Sequence, residues 1–317
     1  MIGRYHGSYE PIDGFTDQQN QQLEMLFELA AKGELIGIFD KIDNDVYHAG
    51  PGVSSSGLQM LRESPFAMQK NYFPFRYQER ESAAERNLTI GSAIHCKLFE
   101  PEKFSDIYYT SSERMRNTAA YKEDVRSFPQ HIVLSKKEGD MIDEMLLNVQ
   151  LLEDYKLMLD PNGVSEKAFW SVHPQTGILI KCKADRIANQ YIWDAKSCQD
   201  SSLKKFNRNA EDCLMYLSAA LYIDVVNDVF KNVIPYFPGI RGFRIIAMEK
   251  QSSPFVSQIY QFDDHSIELG REHYNSLLNV YSECLEKNEW PFESKKYSTK
   301  TQLLTMSEWT EGKFNGN

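Results

Sequence analysis

Two predicted strands near the middle of the sequence carry charged residues that can hold a divalent metal ion. Asp185 lies in the stretch 178–187, and Asp194 stands two residues before Lys196 in the stretch 191–196. Because side chains alternate along a strand with a period of two, Asp194 and Lys196 share one face. Carboxylate oxygens are ligands that Mg²⁺ prefers, and a neighbouring lysine can orient a water molecule and offset developing negative charge. This spacing indicates metal-assisted hydrolysis of a phosphodiester.

Two further residues can complete such a site. Glu166 begins a predicted strand at 166–172, directly before the strand of Asp185, and is placed to be another ligand. His95 follows Gly91 by four residues in a predicted helix at 83–99, so both lie on one helix face. The glycine leaves room for a close approach, and His95 can contact a metal or a phosphate beside it.

Each of these signals has a simpler explanation when it is taken alone. Asp-x-Lys occurs often by chance, and surface strands commonly pair Asp with Lys in cross-strand salt bridges. A single histidine near an apolar helix face is usually structural. The order of Glu166, Asp185, Asp194 and Lys196, with His95 upstream, favours a nuclease over these alternatives.

The elements that must position these residues alternate between helices and strands. Apolar residues at helical spacing predict helices at 16–39, at 83–99 and at 263–287. A further helix is predicted after an N-cap at Ser54-Ser55-Ser56, another runs from the capping box at Ser135 to about residue 152, and another from Ser201 or Ser202 to about Val229. Two more strands are predicted at 242–250 and 256–262. This order predicts an α/β fold with a central mixed sheet flanked by helices. Residues 1–46 are predicted as an N-terminal helical extension and residues 47–317 as the main domain.

The composition indicates a globular protein of a reducing compartment. Of 317 residues, 42% are hydrophobic and 25% are charged, which is ordinary for a soluble domain. The five cysteines form no C-x-x-C pair, which argues against a disulfide framework, a zinc ribbon and an iron–sulfur cluster. No apolar run reaches the roughly 18 residues of a membrane span, and the N-terminus lacks the apolar core of a secretory signal. We therefore predict a cytoplasmic protein with no membrane partner.

The protein is acidic overall and contains one segment that is locally basic. The net charge is −10, and an acidic surface repels phosphate. Between residues 166 and 208, however, eight lysines and arginines stand against four acidic residues. Taken alone, this excess of basic residues is explained by chance clustering on a solvated face. As DNA contacts we predict Arg114 and Arg116, because of their loop, and Lys181 and Lys183, because they share a strand face with Asp185.

Several stretches together resemble the PD-(D/E)XK nuclease superfamily, within it the RecB-like group, and most closely the exodeoxyribonuclease VIII (RecE-like) phage exonucleases. The matching stretches are Tyr47-His48 with VSSSGLQMLRESPFAM, GSAIHCKLFEPEKF, SEKAFW, TGILIKCKADR and DAK, with a looser likeness at Trp290-Pro291 and Ser307-Glu308-Trp309. The resemblance runs from about Tyr47 to the C-terminus. It implies a restriction-endonuclease-like core.

The resemblance also implies an activity and an assembly. The family's members are Mg²⁺-dependent exonucleases, for which Mn²⁺ is expected to substitute, that degrade one strand of linear double-stranded DNA from its 5′ end. They leave 3′ single-strand tails for a single-strand annealing protein, and they form closed rings, here expected to be a trimer or tetramer. The gene would belong to a phage or prophage in a bacterial host. By the matching positions, His95, Glu166, Asp185 and Asp194 would surround the metal ions, and Lys196 would be the catalytic lysine.

The sequence departs from the family pattern after the DAK motif. The helix there usually carries Gln-x-x-x-Tyr facing the site, and here Tyr222 remains as a predicted DNA contact while Ser218 stands where Gln is expected. The shorter side chain leaves three alternatives open. The protein could be an endonuclease, a single-strand nuclease, or a non-catalytic DNA-binding module on the same fold.

Overall fold

A computed structural model describes residues 3–72, 82–251, 253–293 and 299–301, with the backbone alone at 82–85. The loose likeness at Ser307-Glu308-Trp309 lies outside these residues. The helices in the described part of the chain are α1 (Asp17–Lys32), α2 (Asn44–Ala49), α3 (Ser55–Glu63), α4 (Pro65–Asn71), α5 (Ser82–Phe99), α6 (Pro101–Ile107), α7 (Ala119–Ser127), α8 (Lys136–Gln150), α9 (Tyr155–Met158), α10 (Leu203–Asp212), α11 (Met215–Val233) and α12 (Asp264–Lys287). The strands are β1 (Gly37–Phe39), β2 (Tyr108–Thr110), β3 (Ile132–Leu134), β4 (Val164–Val172), β5 (Leu179–Ala188), β6 (Tyr191–Cys198), β7 (Gly242–Glu249) and β8 (Ser257–Gln261).

A six-stranded mixed sheet forms the centre of the fold. Its strand order is β1-β4-β5-β6-β7-β8, and β6 and β7 run parallel while the other neighbours run antiparallel. The crossover from β6 to β7 passes through α10 and α11, as a parallel connection requires. A parallel pair of β2 and β3 lies apart from this sheet. The predicted α/β class with a central mixed sheet is confirmed.

Helices cover both faces of the sheet, so the core has several layers. One cluster joins α3, α11 and α12 to the sheet and includes Leu58, Leu221 and Leu278. A second cluster lies under α5 and α8 and includes Ile142 and Trp193, each fully buried. Burial of such large side chains stabilises the fold by roughly 1.5–3 kcal/mol each. The two clusters fix α5 and α11 against β5 and β6, where the predicted site residues lie.

The N-terminal residues pack against the same sheet. Leu23 and Leu26 of α1 share a cluster with Trp170 of β4, and β1 pairs antiparallel with β4. The predicted single helix at 16–39 is wrong beyond Lys32, because Gly33 adopts a left-handed backbone (φ 73°) that ends α1. The N-terminal elaboration is present, and its division from the main domain at residue 46 stays a prediction.

The helix predicted after Ser54-Ser55-Ser56 is α3, and Ser54 is its N-cap residue, but the Ser54 hydroxyl lies 2.8 Å from Ser56 Oγ and 3.1 Å from the Tyr72 hydroxyl and caps no backbone N–H.

One further prediction about helices is wrong. The predicted single helix to Val229 is two helices, α10 and α11, bent by 71° at their junction. Leu214 at this junction has a left-handed backbone (φ 51°), which a helix interior cannot accommodate. Within the described ranges, no single helix is long and apolar enough to cross a membrane, although α10 and α11 together pass that test by length and composition.

Candidate metal centre

Three of the predicted ligands meet between α5, β4 and β5. One ligand atom each from His95, Glu166 and Asp185 lies within 4.8 Å of the other two. All three side chains are partly exposed, so solvent and a substrate can reach them. The cluster brings together residues that are far apart in sequence, and their elements are fixed by the two core clusters on either side of the sheet.

Strands β5 and β6 separate at this cluster, and side chains of the site form hydrogen bonds with the backbone groups that the separation leaves unpaired. The ladder between β5 and β6 stops at the pair Arg186–Trp193. Beyond it, the Ala195 N–H donates to Asp185 Oδ2 at 3.1 Å, and the Ala195 carbonyl lies 2.8 Å from His95 Nε2. Buried backbone groups need such partners, because leaving one unpaired costs about 1–3 kcal/mol. Asp185 and His95 therefore replace the backbone partners of Ala195 where β5 and β6 separate.

The hydrogen bond to Ala195 fixes the tautomer of His95. A carbonyl oxygen can only accept, so His95 Nε2 carries the hydrogen and donates it. In the neutral ring, Nδ1 then keeps its lone pair, and Nδ1 lies 3.2 Å from Asp185 Oδ2. Histidines that bind metals usually donate their other ring N–H to a backbone carbonyl or carboxylate in this way. Two carboxylates and one oriented imidazole fit a divalent cation.

Glu166 is held in an unusual backbone conformation. Its φ is +53°, which costs a non-glycine residue roughly 1–2 kcal/mol, and the pair Glu166–Asp185 is missing from the otherwise regular register of β4 and β5. The side-chain alternation of β5 changes phase here, since Ala184 and Ile187 pack in the same cluster although they are three residues apart. Strained backbone of this kind clusters at functional sites.

The electrostatics of the cluster favour a bound cation. Burial and the neighbouring Asp185 charge raise the pKa of Glu166, and Lys183 Nζ, 3.4 Å from Glu166 Oε2, partly offsets this rise. Crowded carboxylates in a partly buried site repel one another, and a divalent cation relieves that repulsion.

Asp194 lies outside the group of three and holds the predicted catalytic lysine. Lys196 Nζ donates to Asp194 Oδ1 at 2.8 Å. Burial raises the pKa of Asp194, although the charge of Lys196 opposes this. Burial alone would lower the pKa of Lys196, but the carboxylates of Asp194 and Asp185 outweigh it and raise that pKa. Lys196 is therefore a cation beside the cluster, with 41% of its side chain exposed.

Helix α5, which carries His95, is anchored to α8 by a partly buried ion pair. The Arg86 guanidinium donates to both carboxylate oxygens of Glu138 and to the Val133 carbonyl. Burial disfavours the Glu138 charge, but Arg86 and the N–H and hydroxyl of Ser135 outweigh it and lower the pKa of Glu138 to about 2. Glu138 also completes the predicted capping box of α8, which is confirmed.

The predicted DNA contacts have different outcomes. Lys181 as a DNA contact is wrong, because it is fully buried and its Nζ donates to the carbonyls of Tyr47, His48 and Gly50 at 2.7, 3.3 and 2.6 Å. Burial lowers the pKa of Lys181 to about 7. Lys183 points to the cluster, as its distance to Glu166 shows. Arg114 and Arg116 are exposed in the loop before α7, and their role stays a prediction.

The family pattern singles out two residues of α11, Ser218 and Tyr222, and one of them has a partner that the sequence did not reveal. Burial raises the pKa of Tyr222, and Cys182 and the carboxylates of Asp194 and Asp185 add to this rise. One turn earlier, Gln59 Nε2 of α3 donates to Ser218 Oγ at 3.2 Å. An amide group thus reaches the position of Ser218 from another helix. Gln59 and Ser218 are 159 residues apart in the sequence, so no local sequence pattern could predict this contact.

Comparisons with known proteins agree with this fold. A family model described as "PDDEXK-like domain of unknown function (DUF3799)" matches residues 54–301. This match covers more than half of the chain, so the chain belongs to this family of PDDEXK-like domains. A search of curated proteins found no match.

The chain is also similar to a solved structure. That structure is a protein from Eubacterium rectale that is provisionally named an exonuclease. The TM-score is 0.51 at 14% sequence identity, and the match covers 81% of this chain and 91% of that chain. At this identity the similarity shows the fold alone. The predicted PD-(D/E)XK core is confirmed by the family match and by this fold.

Proposed function

We propose that this chain is a divalent-metal-dependent deoxyribonuclease, an exonuclease that degrades linear double-stranded DNA in the 5′→3′ direction. The observation that carries the proposal is the cluster of His95, Glu166 and Asp185 within 4.8 Å, beside the ion pair of Asp194 and Lys196. The family match to a PDDEXK-like domain supports a nuclease. The exonuclease direction rests on the resemblance of the sequence motifs.

The residues present suit Mg²⁺, with Mn²⁺ as a substitute. Glu166 and Asp185 supply oxygen ligands and His95 supplies its Nδ1, while Asp194 is proposed as a further ligand. A bound divalent cation supplies Lewis acidity that activates an attacking water and offsets the charge of the departing oxygen.

The chain's own residues orient this chemistry. Lys196, held by Asp194 at 2.8 Å, places a positive charge where negative charge develops on the phosphoryl oxygens. His95 and Asp185 bind the backbone of Ala195 where β5 and β6 separate, and this separation is proposed as the place of the phosphodiester. Lys183 compensates the charge of Glu166. Tyr222 lies near the carboxylates from the α11 side and is proposed as a DNA contact.

Digestion of end-labelled linear duplex tests the proposal. With Mg²⁺ or Mn²⁺, a label at the 5′ end should be released as mononucleotides before a label at the 3′ end, and no release should occur in EDTA. Lys196→Ala, which removes the proposed catalytic lysine, is digested in parallel. Full activity in excess EDTA, or in Lys196→Ala, would contradict the proposal. Cleavage of covalently closed duplex would favour an endonuclease instead, and preference for single strands would favour a single-strand nuclease.

A non-catalytic DNA-binding module is the second candidate, and Ser218 favours it because the shorter side chain reaches less far. The bond from Gln59 to Ser218 supports the catalytic alternative, since it supplies an amide at this position. Titration of Mg²⁺ into wild type and Asp185→Ala by calorimetry separates the two. Equal heats from both proteins would favour the non-catalytic module.

The resemblance extends the proposal to a setting. We place the protein in the cytoplasm of a bacterial host, encoded by a phage or prophage, acting on double-stranded DNA ends for a single-strand annealing protein. The proposed assembly is a homo-oligomeric ring, a trimer or tetramer. Light scattering and crosslinking of the purified chain would test the ring.

A further inference from the structure

A polar cavity lies at the carboxyl ends of the parallel strands β6 and β7. Its volume is about 650 Å³, and the residues that line it include Ser197, Gln199, Lys205, Asn209, Lys250 and Gln251. In open α/β sheets, ligands bind outside the carboxyl ends of parallel strands. The volume is in the range of small-ligand sites, and the lining is rich in hydrogen-bond donors. None of the six side chains belongs to the metal centre.

The residues that line this cavity carry a net positive charge. Lys205 and Lys250 contribute two positive charges, and Asp200 contributes one negative charge, which its hydrogen bond from the Ser202 N–H at 2.8 Å does not remove. The neighbouring Glu249 carboxylate accepts the N–H and hydroxyl of Ser201 at 2.7 and 2.9 Å. Two ammonium groups against one carboxylate in the lining, among neutral donors, suit an anion.

The cavity begins next to the proposed catalytic lysine in β6. Ser197 follows Lys196 in the sequence, and Cys198, which also lines the cavity, is the last residue of the strand. Two residues of extended strand span roughly 7 Å. This is about two steps along one strand of B-DNA, at roughly 3.4 Å per step. A DNA strand that passes Lys196 therefore needs only a few nucleotides to reach the strand end that lines the cavity.

We propose that this cavity binds a backbone phosphate of the DNA strand whose phosphodiester lies at the metal centre, and that Lys205 and Lys250 hold that phosphate. The proposal rests on the proposed nuclease function. The amides of Asn209, Gln199 and Gln251 supply neutral donors around the same group. Contacts of this kind fix the register of DNA without reading its sequence.

DNA binding without cleavage tests the cavity. The double variant Lys205→Gln and Lys250→Gln is compared with Lys204→Gln, which removes a neighbouring exposed lysine outside the cavity. Affinity for linear duplex is measured in EDTA over a range of salt concentrations. The slope of log affinity against log salt should become shallower by about 0.9 in the double variant, because the one phosphate contact that it loses contributes about 0.9. A slope equal to that of Lys204→Gln overturns the proposal.

Further arms identify the phosphate and protect the test from misfolding. Duplexes with a 5′-phosphate and with a 5′-hydroxyl are compared, since a change confined to the first identifies a terminal phosphate and a change in both an internal one. Lys205→Arg with Lys250→Arg should keep the wild-type slope, and loss of the slope there overturns the proposal. If wild type cleaves duplex but the two glutamine variants bind alike, only the cavity assignment fails. If wild type neither binds nor cleaves DNA, the nuclease proposal fails.

Discussion

Asp185 Oδ2 accepts a hydrogen bond from the Ala195 N–H at 3.1 Å, at the point where the ladder between β5 and β6 has already stopped. The carboxylate therefore replaces a backbone partner. It also lies 3.2 Å from His95 Nδ1, so the same side chain supports the strand separation and contributes to the cluster. Strand geometry and ligand geometry are coupled through this one residue.

Asp185→Asn tests this coupling. The amide keeps the size of the side chain but removes the negative charge, so Mg²⁺ affinity should fall by at least about 100-fold. Cleavage of linear duplex should fall in parallel, whereas thermal stability should change little because the amide oxygen still accepts from Ala195. Calorimetric titration and a melting curve measure both. An unchanged affinity would remove Asp185 from the metal centre.

Lys196→Met should reduce cleavage by about 10²–10³-fold, the usual effect of removing one group that stabilises developing charge. Metal binding should persist, because Lys196 is not a ligand, and the Asp194 carboxylate loses its 2.8 Å partner. Single-turnover digestion under saturating Mg²⁺ measures the loss. Lys196→Arg is the matched control and should recover part of the rate. A methionine variant with the wild-type rate contradicts the assigned role.

Lys181 and Lys183 stand two residues apart and should behave in opposite ways. Lys181→Met leaves three carbonyls without their donor and should destabilise the fold, by about 1–3 kcal/mol for each buried acceptor. Removal of the buried ammonium group offsets part of this loss. Its DNA affinity in EDTA should not change. Lys183→Met should bind DNA more weakly at unchanged stability. Equal losses of affinity in the two variants would contradict the burial of Lys181.

The buried Lys181 also gives a pH dependence. Burial lowers its pKa in the folded protein to about 7, below the ordinary value near 10.4. Between these values the unfolded chain binds a proton that the folded chain does not, so the free energy of unfolding should rise with pH relative to Lys181→Met. Urea denaturation at pH 7 and pH 9 measures this difference. A difference of the opposite sign would show that the carbonyls hold the ammonium form.

Glu138→Gln should destabilise the protein by up to about 3 kcal/mol at pH 7. This value follows from the lowering of the Glu138 pKa from its ordinary 4.5 to about 2 in the folded protein. Glutamine is accepted at this capping-box position, so the change removes mainly the ion pair with Arg86. Because the pKa of Glu138 is lower in the folded chain than in the unfolded chain, its charge stabilises the fold fully above the unfolded pKa. This stabilisation is lost as the pH falls towards the folded pKa. The difference between variant and wild type should therefore shrink between about pH 4.5 and pH 2. A constant difference across that range would assign the effect to packing.

The alternation of apolar and charged residues was sufficient to predict the central strands, because a strand with one buried face must alternate. The order of the motifs and the family resemblance, and not the residue types alone, associated His95 with Asp185, which lies 90 positions later. The phase change at Glu166 could not be predicted, since its left-handed backbone depends on the surrounding strands and not on a preference of glutamate.

The remaining differences come from contacts between distant segments. The burial of Lys181 depends on carbonyls of α2 and the residues after it, more than a hundred residues earlier. The alternating pattern placed this lysine correctly opposite Ile180 and Cys182, but it gave no sign that another layer covers that face. The break at Leu214 is similar, because an apolar stripe continues through both α10 and α11.

The three residues of β1 close one edge of the six-stranded sheet. Without them, β4 would present a row of unpaired backbone groups together with the uncovered ring of Trp170, which packs against Phe39. Open edges of this kind pair with other chains. The N-terminal segment thus covers this edge, and in a shortened chain that begins at Tyr47 the strand that carries Glu166 would be open to pairing with other chains.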